Sequence, residues 1–144
     1  MTMRPRSILE TVLYCPDLDA ARAFYTGVLG LELAAAQTER HVFLRCGDAM
    51  LLLFNPEHTS RIAVPIGDAV VPMHGGRGQG HMAFRASAEE IGRWREHLRQ
   101  HGVDIETEID WPGGGHSLYF RDPAGNSLEF ATPELWGLSG GFTG

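Results

Sequence analysis

The order of apolar and polar positions predicts the same succession of elements twice along the chain. Residues 7–14 form a short apolar stretch that ends before Pro16, which is typical of a strand. Asp17 then suits the N-cap of a helix, because the apolar positions that follow it recur with helical spacing. Three further strands are predicted, at residues 31–35, 41–46 and 49–54.

The second stretch repeats this order after Gly80. Residues 81–85 predict a strand, and Ser87 with Glu90 forms the capping box that begins a helix. Strands are predicted to follow at residues 103–109, 117–121 and 127–131. The letters of the two stretches match as well, since HVFLRCGDAMLLLFNP in the first corresponds to HSLYFRDPAGNSLEFATP in the second.

Each half is therefore a β-α-β-β-β module. This predicts an α+β protein with modules at 7–55 and 81–133 in a single domain of residues 1–144. One helix cannot cover both faces of a sheet, so the two sheets must cover each other or surround something. The segment 56–80 has no periodicity and is expected to be a linker or a lid without regular structure. The glycine-rich tail after Leu135 is expected to be flexible.

The composition argues against several classes of protein. The chain has 43% hydrophobic residues, no apolar run near the ~20 residues that cross a membrane, and no signal-like start. We therefore expect a cytoplasmic protein without a membrane partner. A net charge of −6, no lysine and scattered arginines argue against nucleic acid as a partner. Cys15 and Cys46 are too few for a disulfide framework and are interpreted as buried thiols.

Three residues are candidate metal ligands. Glu10 interrupts the apolar first strand, His81 begins the equivalent strand of the second half, and Glu129 lies between two apolar residues on the last strand. Each could simply face solvent, because strand side chains alternate between the two faces. A two-fold repeat, however, would bring its two first strands together, so that two carboxylates and an imidazole converge on one point. Such ligands suit Zn, Ni, Co, Mn or Fe.

Longer motifs give a resemblance to a known family. The stretches ETVLYCPDLDAARAFYTGVLGLEL, GHMAF and SLYFRDPAGNSLEF resemble the vicinal-oxygen-chelate superfamily, which includes glyoxalase I, extradiol dioxygenases and bleomycin-binding proteins. The resemblance implies a glyoxalase/bleomycin resistance-like fold, in which two βαβββ modules with curved mixed sheets surround a metal-bearing cleft. It also implies a homodimer, and a divalent metal held at the places of Glu10, His81 and Glu129.

The chain departs from the pattern of that superfamily at two places. Many metal-binding members have histidine where Glu10 stands, which disfavours the His-His-carboxylate iron site of ring-cleaving dioxygenases. Glyoxalase I also takes a fourth protein ligand from the strand where this chain has Leu51, Leu52 and Leu53. Three protein ligands with open positions are typical of a catalytic metal site, yet the missing fourth counts against ordinary glyoxalase I chemistry.

Further residues are assigned to the predicted cleft. The candidate catalytic residues are Glu10 and Glu129 as bases and His116 as a proton carrier. His116 has the alternative of being a polar strand end, and Arg121 has the alternative of pairing with Asp122 or a neighbouring acid at the turn. The candidate substrate-binding residues are Tyr119, Arg121, Trp111, His41 and Phe54.

The first functional hypothesis is a metal-dependent enzyme of the glyoxalase type. It would be a lyase, an isomerase or a thiol transferase that acts on a small oxygen-rich substrate chelated at a divalent metal. The alternative is a non-catalytic protein that binds a small molecule such as a drug or an antibiotic. A dioxygenase is a third possibility.

Overall fold

The predicted order of elements occurs twice in the computed structural model, which describes residues 2–138. The chain forms two compact units, the first ending at Arg77 and the second beginning at Gly78. Most of the predicted flexible tail, residues 139–144, lies outside the described residues. Within the described part of the chain, every helix is too short or too polar to cross a membrane.

The first unit contains a mixed four-stranded sheet with one long helix. Its strands have the order β1-β4-β3-β2, in which β1 is parallel to β4 and the other neighbours are antiparallel. The Asp17 side chain caps the helix as predicted, accepting a hydrogen bond from the Ala20 backbone N–H at 3.0 Å. The elements are β1 (Glu10–Tyr14), α1 (Leu18–Gly27), β2 (Glu32–Gln37), β3 (His41–Cys46) and β4 (Ala49–Phe54).

The segment that follows β4 has regular structure, so the expectation of an unstructured linker is wrong. It contains α2 (Pro56–Thr59) and a hairpin of β5 (Val64–Ile66) and β6 (Ala69–Val71). The helix begins because the Asn55 side chain accepts a hydrogen bond from the Glu57 N–H at 3.1 Å and Pro56 occupies the first turn. Such short elements have no room for a periodic pattern. The segment up to Arg77 belongs to the first unit.

The second unit repeats the architecture of the first. Its strand order is β7-β10-β9-β8, with β7 parallel to β10. The predicted capping box is present, because Ser87 and Glu90 exchange backbone and side-chain hydrogen bonds. The elements are β7 (His81–Arg85), α3 (Ala88–Gln100), β8 (Ile105–Asp110), β9 (His116–Arg121), β10 (Ser127–Ala131) and a 3-10 helix (Pro133–Trp136). Two βαβββ modules with curved mixed sheets confirm the predicted fold class.

The predicted strand boundaries differ from the observed ones mainly where pairing with a neighbouring strand determines the first residue of a strand. β1 begins at Glu10 rather than at residue 7, because Glu10 is the first residue with a partner, Met50, on β4. The two residues before it, Ile8 and Leu9, are exposed. Apolar character alone therefore extended the predicted strand beyond the paired backbone.

Each sheet packs its helix against one face only. In the first unit, Leu13, Val42 and Leu44 are buried on the side of α1. In the second unit, α3 buries Ile91 and Leu98, and the Trp94 ring stacks on Phe130 with centroids 4.5 Å apart. Side chains alternate along a strand, so the intervening residues project from the opposite face of each sheet.

We predict that Gly115, in the turn before β9, tolerates no side chain. Its φ of +96° is rare for L-residues, and a Cβ there would lie 2.7 Å from the Leu135 backbone N. Gly115→Ala should lower the free energy of unfolding by roughly 2 kcal/mol or more, measured by urea denaturation. Gly113→Ala is the matched control, since a Cβ at Gly113 meets nothing within 4 Å. Equal effects of the two changes would show that this turn is not constrained.

Candidate functional site

The polar face of the second sheet, opposite α3, brings several candidate residues together. Glu129 on β10 is paired with Ala83 on β7 and with Tyr119 on β9. Ser127, two residues earlier, is paired with His81 and Arg121. Side chains of directly paired residues project to the same side of a sheet, so His81, Tyr119 and Glu129 share one face.

Glu129 is the centre of this group. Its side chain is only 6% exposed, and a carboxylate this deeply buried needs polar partners. The Ser117 hydroxyl donates a hydrogen bond to Glu129 Oε2 at 2.5 Å, and Trp111 Nε1 donates to the Ser117 Oγ at 2.8 Å. Glu129 Oε1 lies 3.2 Å from His81 Nε2. Ser117 therefore fixes one oxygen of the Glu129 carboxylate, and the other oxygen faces the His81 imidazole.

His81 presents its Nε2 lone pair to this carboxylate when the ring is neutral. Its Nδ1 lies 2.9 Å from the Ser127 carbonyl oxygen, which can only accept, so Nδ1 carries the hydrogen. The neutral ring then has an acceptor at Nε2, opposite the acceptor Oε1 of Glu129. Two acceptors at this distance are stable only with a cation between them, either a proton on the ring or a metal ion. An imidazole and a carboxylate, each with a second hydrogen-bond partner, fit a divalent metal.

Tyr119 and Trp111 complete the polar face. The Tyr119 ring stacks on His81 with centroids 6.3 Å apart. Burial, and then the negative charge of Glu129, raises the pKa of Tyr119, so its hydroxyl remains a hydrogen-bond donor at neutral pH. Ser117 was not predicted, although it shares strand parity with Tyr119, which would have identified it.

Glu10 lies in the first unit, exposed at the beginning of β1. It is paired with Met50 on β4, as His81 is paired with Ser127 on β10, so the two residues are equivalent in the two modules. Its role as a metal ligand stays a prediction. Among residues 2–138, no three His, Cys, Asp or Glu side chains are grouped so that they could hold a metal ion.

Arg121 and His116 have other partners. Arg121 forms an ion pair with Glu106 on β8, with Nη2 and Oε2 3.1 Å apart, rather than with Asp122 or another acid at the turn. His116 projects from the α3 side of the sheet, so the structure does not place it with Glu129. Its Nε2 lies 2.8 Å from Glu108 Oε1, and Arg95 of α3 contacts the same oxygen at 2.6 Å.

His41 and Phe54 lie together on the face of the first sheet opposite α1. The two residues are paired across β3 and β4, with ring centroids 6.0 Å apart. Phe43 stacks on His41 at 3.8 Å, and the Tyr14 hydroxyl lies 2.6 Å from His74 Nδ1. The sequence gives no signal for His74, because it reaches this face from the segment without periodicity.

Comparisons with known proteins agree with this fold. A family model described as Glyoxalase/Bleomycin resistance protein/Dioxygenase superfamily matches residues 7–130. A solved lactoylglutathione lyase from Agrobacterium tumefaciens is 42% identical, with a TM-score of 0.86, and the match covers 94% of this chain and 100% of that one. A glyoxalase/bleomycin resistance protein/dioxygenase from Nocardioides is 25% identical, with a TM-score of 0.70 and coverage of 99% and 91%. Curated proteins give no match.

We predict that the Arg95–Glu108–His116 network stabilises the protein most between pH 4.5 and 6.5. The hydrogen bond to Glu108 raises the pKa of His116, so its contribution is complete below its ordinary value of 6.5 and is lost as pH rises through the raised value. The hydrogen bond from Arg95 lowers the pKa of Glu108 from 4.5 to about 2, so its contribution is lost as pH falls between these values.

The measurement is the free energy of unfolding of the wild type and of His116→Gln. The difference should be on the order of 1 kcal/mol or less near pH 5.5, as for partly solvated ion pairs, and should shrink as the pH rises above 6.5. His101→Gln is the control, because His101 has no carboxylate partner among the described residues. A difference for His116→Gln that is independent of pH would contradict this assignment.

Proposed function

Because the chain belongs to the Glyoxalase/Bleomycin resistance protein/Dioxygenase superfamily, we propose that it is a metal-dependent enzyme of the glyoxalase type. The observation that carries the proposal is the buried carboxylate of Glu129 opposite the Nε2 lone pair of His81, 3.2 Å away. A lone buried carboxylate is unfavourable. The hydrogen bonds that orient the Glu129 carboxylate and the His81 imidazole would have no role in apolar packing alone, but they are of the kind that orients metal ligands. The similarity to a lactoylglutathione lyase supports a lyase among the glyoxalase-type activities.

His81 Nε2 and Glu129 Oε1 would hold the metal ion, with Glu10 as the predicted third ligand. The Ser127 carbonyl fixes the tautomer of His81, and Ser117 with Trp111 fixes the rotamer of Glu129. A bound divalent metal supplies Lewis acidity, which stabilises negative charge that develops on substrate oxygens. The family typically uses a divalent metal; Zn, Ni, Co, Mn and Fe all suit these donors.

The remaining chemistry falls to the two glutamates and to Tyr119. In the proposal a glutamate, Glu129 or Glu10, takes the proton from a substrate carbon next to a carbonyl group and returns it to the neighbouring carbon. The Tyr119 hydroxyl stays protonated and can donate a hydrogen bond to a substrate oxygen. The fourth carboxylate of glyoxalase I has no counterpart on β4, whose residues on the face away from α1 are Met50, Leu52 and Phe54. The proposed site thus has three protein ligands and open positions for substrate.

A second candidate function is non-catalytic binding of a small molecule. The stacked rings of His41 and Phe43, 3.8 Å apart, with the edge of Phe54 beside them, favour it because they form a flat apolar surface. The two candidates differ in whether bound metal and turnover depend on Glu129.

We predict that the purified protein binds about one equivalent of divalent metal and that Glu129→Gln abolishes this binding. Incubation with Zn, Ni, Co, Mn or Fe(II), desalting and elemental analysis give the stoichiometry. Metal binding should raise the melting temperature, with a stabilisation of about 2.7 kcal/mol at a hundred times the Kd. His81→Gln should have the same effect as Glu129→Gln, and Glu10→Gln tests the predicted third ligand.

Glu134→Gln is the matched control, because Glu134 is exposed and lies only five residues beyond Glu129. It should bind metal like the wild type. A wild-type protein that takes up none of the five metals, and whose melting temperature none of them changes, would remove the basis of the enzyme proposal.

We predict that the metal-loaded protein turns over a substrate of the hemithioacetal or thioester type. The first assay is the interconversion of S-lactoylglutathione with glutathione and methylglyoxal, followed by absorbance and extended to other aldehyde, thiol and epoxide substrates. Glu129→Gln should lower kcat by about 10²-fold or more, because it removes both a ligand and a base. Metal binding without turnover of any of these substrates would favour the non-catalytic candidate.

A further inference from the structure

We propose that the first unit contains a binding site for an organic anion, formed by Arg40 and His41, for a ligand with an anionic oxygen group beside a flat apolar body. The proposal rests on the ring surface of the second candidate function and specifies its ligand class. The site includes none of the proposed metal ligands, so the proposal does not depend on the metal-dependent function. All of its residues belong to the first unit.

The first observation is a buried cation without a counterion. Arg40 is 8% exposed, and no carboxylate among residues 2–138 forms an ion pair with it. Its Nε atom is buried and has no hydrogen-bond partner. A buried charge is costly unless it is paired, and a buried donor without a partner loses the hydration that it has in water. The guanidinium is therefore prepared for an anion that the described part of the chain does not supply.

The second observation is the tautomer that Arg40 imposes on His41. Arg40 Nη1 lies 2.7 Å from His41 Nδ1, and a guanidinium can only donate, so Nδ1 accepts and the ring hydrogen is on Nε2. The pKa of His41 is lowered, first by burial and then by the charges of Arg40 and His58, and this keeps the ring neutral. None of the described residues accepts a hydrogen bond from Nε2, and this atom is not among the buried ones without a partner. His41 therefore offers an accessible N–H with a positive charge behind it.

The third observation concerns His58 on α2, which acts electrostatically on His41. His58 Nδ1 is buried without a hydrogen-bond partner, as is Arg40 Nε, and these are the two such side-chain atoms in the described structure. Buried polar atoms are nearly always satisfied in folded proteins. One of these two exceptions belongs to Arg40, which contacts His41, and this indicates that the place is built for a polar group from outside the chain.

Aromatic rings define the rest of the ligand. Phe43 stacks on His41 with centroids 3.8 Å apart, and Phe54 meets Phe43 edge-on at 5.4 Å. The Arg40 guanidinium lies over the Phe54 ring, 5.2 Å from its centroid. An anionic oxygen at His41 would thus lie beside flat apolar surfaces, which suit an aromatic or other planar body. Carboxylates and phosphate esters both provide such an anionic oxygen.

The test is a ligand titration of the metal-free protein, followed by NMR of ¹⁵N-labelled histidine side chains. The unliganded protein should show His41 as the neutral ring with hydrogen on Nε2. Benzoate or phenyl phosphate should shift the His41 signals at saturation, and comparison of the two distinguishes a carboxylate from a phosphate group. Benzamide, the neutral analogue of benzoate, should bind about tenfold more weakly or worse, as should acetate and inorganic phosphate, which have no flat body.

Arg40→Gln and His41→Phe should each weaken binding of the better anion by about tenfold or more, because each removes a donor. Arg45→Gln is the matched control, since Arg45 lies on β3 with His41 but is exposed, with Glu32 3.9 Å away. It should change the affinity by less than about twofold. Because the wild-type comparison of benzoate with benzamide needs no variant, a folding defect of Arg40→Gln cannot hide the answer.

The proposal is overturned if benzamide binds as tightly as benzoate, if neither anion shifts the His41 signals, or if hydrogen resides on Nδ1. It is also overturned if Arg45→Gln weakens binding as much as Arg40→Gln. Metal is absent throughout, so these outcomes are independent of whether Glu129 holds a metal ion.

Discussion

Each four-stranded sheet carries a helix on one face only, and this constraint determines where polar side chains can be placed. On the helix side of the second sheet, Leu118, Phe120 and Leu128 are buried without exposure. The opposite face has no helix of its own unit against it, so its residues need not be apolar. Glu129 occupies this face, and its burial is compensated by the Ser117 hydroxyl and by His81. The candidate chemistry therefore follows from the coverage of the sheet.

Two adjacent residues of β9, His116 and Ser117, make different polar interactions on opposite faces of the sheet. Ser117 projects toward Glu129, whereas His116 projects toward α3 and contacts Glu108. In the second network Glu108 accepts from both Arg95 and His116, so positive groups surround its charge on the helix side. Among the described residues, no such cation is fixed next to Glu129 apart from His81, whose ring is charged only when it is protonated. The Glu108 network stabilises the fold, whereas the carboxylate of Glu129 is the one that we propose to bind a metal ion.

The sequence was sufficient to predict both modules and the equivalence of Glu10 with His81, because apolar periodicity and strand order are local properties. Strand pairing agrees, since Glu10 faces Met50 and His81 faces Ser127 at corresponding places. The identical letters at His41 and His116 were misleading, however, because the hairpin turns differ in length. Residues 47–48 join the strands in the first unit and residues 122–126 in the second. This difference shifts the register by one residue, so that Ser117 is the counterpart of His41. Neither the contact of Arg40 with Phe54 nor that of His74 with Tyr14 had a periodic signal, since both join residues distant in sequence.

The corrected register also explains why the two modules differ in chemistry. Leu52 is the counterpart of Glu129, because it is paired with Val12 and Phe43 as Glu129 is with Ala83 and Tyr119. Neither of the residues paired with Leu52, Val12 and Phe43, can donate a side-chain hydrogen bond. The first module instead buries a guanidinium, Arg40, whose charge lies over the ring of Phe54. Each module thus buries one charged side chain, Arg40 in the first and Glu129 in the second, at positions that are not equivalent and with partners supplied by different neighbours.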